Sequence, residues 1–181
     1  RAWRAGPDQH AGGWADPRYP ALLREIPAAP ALLFVRGDID ALGLPQLAIV
    51  GSRNATPGGL DTATRFAAHL AGAGFGITSG MALGIDAAAH RAALGAGGKT
   101  VAVFGAGPDI LYPREHAGLA DEIAAAGALV SEFPPRTPPR REHFPPRNPL
   151  TSRVAVGPLG RRAGLPRRPA VTASNAAEPG R

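Results

Sequence analysis

Between residues 46 and 131, four short apolar runs alternate with longer stretches of helical periodicity, and glycine closes nearly every run. Leu47-Ala48-Ile49-Val50 ends at Gly51, Ile77-Thr78 at Ser79-Gly80, and Lys99–Phe104 at Gly105; Ala128–Ser131 is the fourth run. Continuous apolar runs of this length read as strands buried on both faces. The gaps read as helices. Pro57 opens one that reaches about Leu70, with Leu60, Ala63, Ala67 and Leu70 on one face. Ile85 to Leu94 is the second, and Glu115–Ala126 the third, with Leu119, Ile123 and Ala126 inward. A β-α-β-α-β-α-β order of this kind predicts an α/β fold with a doubly wound, mainly parallel sheet and flanking helices.

Three regions differ in character. Residues 1–45 are rich in Pro, Ala and Gly, with a short helix expected at Tyr19–Ile26 and a strand at Leu32–Arg36; they read as a lead-in segment packing on the core. Residues 46–148 form the core. Residues 149–181 read as an irregular Arg/Pro-rich tail. Net charge divides the chain as well. Residues 1–132 hold ten basic and twelve acidic side chains, whereas residues 133–181 hold ten arginines against two glutamates and eleven of the twenty prolines. The formal charge of +6 therefore belongs to the tail and does not by itself mark the core as a nucleic-acid binder. There is no cysteine, which excludes a disulfide framework, a thiolate metal site and a cysteine nucleophile. No apolar run approaches the ~20 residues of a membrane span, so a cytoplasmic protein is expected. The first residue is arginine, which suggests a fragment or a processed chain.

In a sheet of this type, ligands sit outside the carboxyl ends of the strands, so the segments after the strands carry the candidates. Gly51-Ser52-Arg53 precedes a helix; its amides and the Arg53 fork suit a phosphate, or form a plain turn with a surface arginine. Ser79-Gly80-Met81-Ala82-Leu83-Gly84-Ile85-Asp86 has two glycines that allow close approach of a ligand. Asp86 caps the following helix, fixes Arg53, or binds a ribose hydroxyl. His90, four residues on, shares a helix face with Asp86, either as a structural pair or for acid–base work. Gly105-Ala106-Gly107-Pro108-Asp109 lacks the third glycine of a dinucleotide fingerprint, and no Walker pattern occurs. Tyr112 either stacks on a base or packs against the sheet. His143-Phe144-Pro145-Pro146-Arg147-Asn148, with Arg140 and Arg141, fits stacking plus phosphate neutralisation, or a solvated linker.

Taken together, these segments resemble the DNA-processing protein A family (DprA/Smf). Asp16-Pro17-Arg18-Tyr19-Pro20-Ala21-Leu22-Leu23 resembles its D-x-x-Y-P-x-L-L lead-in, and Leu33-Phe34-Val35-Arg36-Gly37 its L-[FY]-x-[RK]-G strand. Gly51-Ser52-Arg53, the S-G-x-A-x-G-I-D run at Ser79–Asp86 with His90, G-x-G-x-D-x-x-Y-P at Gly105–Pro113 and S-E-x-P at Ser131–Pro134 follow in order. The resemblance covers roughly residues 14–148. It implies a Rossmann-like fold, binding of single-stranded DNA without strong sequence preference, homodimerisation and loading of the RecA recombinase. It implies no catalytic turnover, DNA phosphate at Ser52 and Arg53, and a pocket border at Phe144, Arg147 and Asn148. From the strand-end loops themselves, phosphate is also expected on the backbone at Gly51, Ser79, Gly80, Met81, Gly105 and Ala106, stacking at Phe144 or Tyr112, and structural or capping roles for Asp86 and His90; no catalytic residue, metal or cofactor is expected.

Beyond residue 148 the pattern departs. Pro149 stands where the family's F-P-x-R-N-R motif ends in arginine, and Val156-Gly157-Pro158-Leu159-Gly160-Arg161-Arg162 replaces an apolar strand. Thr172-Ala173 and Glu178-Pro179-Gly180-Arg181 again resemble family positions. A damaged or misread coding region is the expectation there, which places the family's RecA and dimer contacts in doubt for this chain. An alternative function on the same sheet class is a nucleotide-binding module or a phosphoribohydrolase-like enzyme. The nearest string to that enzyme's P-G-G-x-G-T-x-x-E signature is Pro57-Gly58-Gly59-Leu60-Asp61-Thr62, which lacks the third glycine.

Overall fold

The computed structural model describes residue 6, residues 8–25 and residues 29–139. Its order is β1 (Gln9–Gly13), α1 (Ala21–Arg24), β2 (Leu32–Gly37), a 3-10 helix (Ile39–Gly43), β3 (Gln46–Ala48), α2 (Pro57–Gly72), β4 (Gly76–Ser79), α3 (Ile85–Gly95), β5 (Thr100–Phe104), a 3-10 helix (Arg114–His116), α4 (Ala117–Ala126) and β6 (Ala128–Ser131). These strands form one mixed sheet in the order β1-β2-β6-β5-β4-β3. From β6 to β3 every pairing is parallel, and β2 and β1 extend the sheet antiparallel beyond β6. The lead-in segment thus does more than pack on the core: it supplies two strands of the sheet. Phe144, Arg147, Asn148 and the tail from Pro149 lie outside the described residues.

Every residue of β4, β5 and β6 is buried. Their side chains alternate between two apolar layers. Val101, Val103, Ala128 and Val130 face one layer, with Tyr19, Leu23, Leu33, Val35, Ile39 and Leu42 of the lead-in. The opposite face carries the three long helices. Ala63, Ala67 and Ala71 of α2 meet Ala89 and Ala93 of α3 over Ile49 and Ile77. Leu119, Ala120 and Ile123 of α4 cover Ala102, Phe104 and Leu129. Small side chains at these crossings let the helices lie close to the sheet, which explains why a chain with few aromatic residues still forms a dense core. Of the strands, β3 is at the edge of the described sheet, so Leu47 and Val50 are only half-buried while Ala48 and Ile49 are buried.

Helix starts follow local chemistry. Thr56 caps α2, its hydroxyl oxygen accepting the Gly59 amide at 3.2 Å, and Pro57 occupies the first turn. The Pro57–Thr62 string is therefore a capped helix start, and Asp61 in it lies on the exposed surface 3.8 Å from Arg65. The Asp16–Leu23 motif is also structural. The Asp16 carboxylate holds the Arg18 amide and guanidinium, the Tyr19 hydroxyl donates to the Pro30 carbonyl at 2.6 Å, and Leu23 is fully buried. Of the expected Tyr19–Ile26 helix, one turn forms before the undescribed residues 26–28.

Candidate functional site

Parallel order places the carboxyl ends of β3, β4 and β5 side by side, so the loops that follow them share one end of the sheet. They lie at different depths. Gly51, Ser52, Arg53 and Asn54 are exposed; Ser79, Gly80 and Met81 are buried; Gly105, Ala106, Gly107 and Pro108 are buried as well.

The first loop rests directly on the start of α3. The Ile85 amide donates to the Ser52 carbonyl at 3.2 Å. Gly84, at φ +79°, leaves no room for a side chain: an ideal Cβ there would strike the Ser52 carbonyl oxygen and stand 2.8 Å from that of Arg53. Gly51 is equally confined, 2.7 Å from the Ile85 side chain by the same construction. What approaches these glycines so closely is the chain's own neighbouring loop rather than a ligand. The Ser52 hydroxyl oxygen accepts the Asn54 amide at 3.1 Å, which tightens the turn and leaves the hydroxyl proton to donate.

Asp86 lies in the first turn of α3, but the helix-capping position is Gly84, and no side chain caps it. The Asp86 carboxylate, 4% exposed, instead accepts the Gly51 amide at a long 3.4 Å, across to the first loop. Its capping role is therefore corrected: a side chain two residues inside the helix reaches the neighbouring loop. His90 is fully buried. Its Nδ1 is 2.7 Å from the Thr100 hydroxyl and its Nε2 donates to the Gly80 carbonyl at 2.6 Å. Both ring nitrogens are thus engaged in holding structure.

The second loop has a further anchor that sequence reasoning missed. His116, 5% exposed, donates from Nδ1 to the Met81 carbonyl at 3.0 Å. It precedes α4 by one residue and reads in the sequence as an ordinary helical position. Ser79 is buried, and its hydroxyl donates to the Ile49 carbonyl at 2.6 Å, clamping β4 to the end of β3. Among the described residues, the amides of Met81, Ala82, Leu83 and Gly84 make no hydrogen bond.

The third loop is covered. The Ser131 hydroxyl donates to the Ala106 carbonyl at 2.6 Å, the Gly107 amide donates to Thr137 at 2.8 Å, and Asp109 accepts the Arg136 amide at 2.7 Å. The expected approach of phosphate to Gly105 and Ala106 meets this strap, which the S-E-x-P run introduces. Tyr112 is 52% exposed, so its ring is not packed into the sheet. Arg114 and Arg136, also exposed, add cationic groups that the motif reading passed over. Among the described residues, no group of three or more His, Asp or Glu is placed to hold a metal, and no helix is long and apolar enough to cross a membrane.

This combination defines a Rossmann-like α/β protein whose candidate ligand face lies at the carboxyl ends of its parallel strands. The chain belongs to the DNA recombination-mediator protein A family, whose sequence profile matches residues 12–181. It is 42% identical over 180 residues to Protein Smf of Escherichia coli, covering 99% of this chain and 48% of that protein. The X-ray structure of DNA processing protein A from Streptococcus pneumoniae superposes with a TM-score of 0.76 at 39% identity, over 82% of this chain and 52% of that one. DNA processing protein A from Helicobacter pylori, whose structure addresses its single-stranded DNA binding mode, superposes with a TM-score of 0.70 at 31% identity, over 75% of this chain and 62% of that one. The first curated relatives it matches are longer: the chain spans 34% of one, 48% of the next and 58% of a third.

Proposed function

We propose that this chain is a single-stranded DNA-binding part of a recombination mediator, and that it binds without catalytic turnover. The observation that carries the reading is the exposed Gly51-Ser52-Arg53 turn lying on the start of α3, beside amides from Met81 to Gly84 that make no hydrogen bond among the described residues. A phosphodiester there meets the Ser52 hydroxyl and amide, the Arg53 guanidinium, loop amides and the positive end of an eleven-residue helix. Ser79 and Gly80 form the backbone floor beneath it, while Gly105 and Ala106 lie under the strap of residues 131–137. Tyr112, and beyond the described residues Phe144, Arg147 and Asn148, supply the stacking and rim contacts.

Membership of the family and the DNA-binding of the Helicobacter pylori relative support this reading. On the same support, the full-length protein is proposed to pair with a second copy, to deliver DNA to RecA and to act in the cytoplasm. The engagement of both His90 nitrogens, and of Asp86 with Gly51, favours binding over acid–base chemistry.

The test is fluorescence anisotropy of a labelled single strand of ~20 nucleotides, titrated at several salt concentrations with duplex competitor. Salt-sensitive binding that duplex does not displace supports the proposal. Duplex competing equally, or release of free base from a nucleoside monophosphate, refutes it, and the second outcome favours the phosphoribohydrolase-like alternative.

A further inference from the structure

Two buried imidazoles from different elements grip consecutive carbonyls of one loop. His90, on α3, donates to Gly80; His116, at the end of the 3-10 helix before α4, donates to Met81. Gly80 and Met81 are buried, so their carbonyls need partners within the protein, and the two rings supply them. In doing so they also fix direction. In a planar trans peptide, the carbonyl and the following N–H point opposite ways. With the Gly80 and Met81 oxygens held inward, the amides of Met81 and Ala82 are turned away from the rings, and neither makes a hydrogen bond among the described residues. The adjoining residues become progressively more open, with Ala82 and Gly84 half-buried and Leu83 49% exposed.

We propose that His90 and His116 are positioning residues for the phosphate-binding loop, aiming the Met81 and Ala82 amides at a phosphodiester oxygen. The proposal rests on the reading of this face as the DNA-phosphate site. The two helices behind the sheet then set the geometry of the loop from outside it, which preorganises donors that the loop's own small residues would leave loose.

The test compares His116→Asn, which keeps an N–H donor close to the position of Nδ1, with His116→Leu, which removes it. Arg53→Ala serves as the control for the site itself. Anisotropy with the ~20-nucleotide strand is measured alongside binding-competent fraction and thermal midpoint. His116→Leu is expected to weaken binding about tenfold, the size of one hydrogen bond to a charged group, with an unchanged salt slope because the Arg53 contact is kept. His116→Asn is expected to stay within about threefold of the parent. Equal loss in both variants, or none in His116→Leu, overturns the proposal. Arg53 dependence with no effect at His116 removes the positioning role and leaves the site standing. No binding by the parent chain removes the site reading first and the positioning role with it. If His116→Leu does not fold, amide spectra of the labelled parent chain decide. Met81 and Ala82 amide shifts on adding the strand support the proposal; a response at Ser52 and Arg53 without them overturns it.

Discussion

Replacing Gly84 by alanine perturbs the junction on which the whole site depends. Gly84 has φ +79° and ψ −125°, a conformation that side-chain-bearing residues adopt at a cost of about 1–3 kcal/mol. The added Cβ would also strike the Ser52 carbonyl oxygen and stand 2.8 Å from the Arg53 oxygen, both backbone atoms that cannot swing aside as a side-chain end does. The first loop must lift, which breaks the hydrogen bond from the Ile85 amide to Ser52 and loses about 1 kcal/mol more. The total is roughly 2–4 kcal/mol. With a urea dependence of about 2 kcal/mol per molar, the middle of the ordinary range for small proteins, the unfolding midpoint should fall by roughly 1–2 M. Oligonucleotide affinity measured under native conditions should fall too, because Ser52 and Arg53 move with the loop. Gly58→Ala is the matched control: it lies in the first turn of α2, and a Cβ there meets nothing within 4 Å. That variant should be unchanged or slightly more stable, since alanine exceeds glycine in helix propensity by about 1 kcal/mol. A Gly84→Ala midpoint within about 0.3 M of the parent would refute the claim that the two loops are in obligatory backbone contact.

Arg53→Ala should lower the slope of log affinity against log salt by about 0.7, the value for one phosphate contact on a single strand, read by anisotropy; an unchanged slope would assign the cationic contribution elsewhere. Tyr112→Ala should weaken strand binding by about 1–3 kcal/mol if the ring stacks on a base, with little change in thermal midpoint because the ring is exposed. Thr56→Ala should reduce stability by about 1 kcal/mol through loss of the α2 cap, measured by urea unfolding. The Lys99 ammonium, hydrogen-bonded at 3.0 Å, holds the Asp38 carboxyl below the usual carboxylate range, with the Asp40 amide helping and partial burial opposing. A lowered folded-state pKa gives stability that is present above the unfolded carboxylate value of about 4 and lost as pH falls through the folded value. The Lys99 pair is largely exposed, so Asp38→Asn should cost little at pH 7 and nothing below both pKa values. A larger effect in acid than at neutrality would reverse that assignment.

The parallel half of the sheet is legible because its strands are short, largely apolar runs closed by glycine or serine and separated by helical periodicity, and Thr56-Pro57 marks the start of α2. The β1 strand is not legible. Gln9-His10-Ala11-Gly12-Gly13 has no β-branched residue and no alternation, and it is a strand only because its backbone pairs with β2. The place of β2 beside β6, antiparallel, is likewise a long-range choice that no local pattern encodes. At the site, the exposed Gly51-Ser52-Arg53 turn follows from a strand, a glycine and a helix in succession. The burial of Gly105 and Ala106 does not, because it depends on residues 131–137 returning over them. His116 stayed hidden for the same reason: its partner, Met81, is thirty-five positions away.

The decisive measurement is an oligonucleotide complex solved at atomic resolution. A phosphodiester group is expected within hydrogen-bonding distance of Ser52 and the Arg53 guanidinium, contacting the Met81 and Ala82 amides. A strand bound away from the carboxyl ends of β3 and β4, with those groups left to water, would contradict this reading.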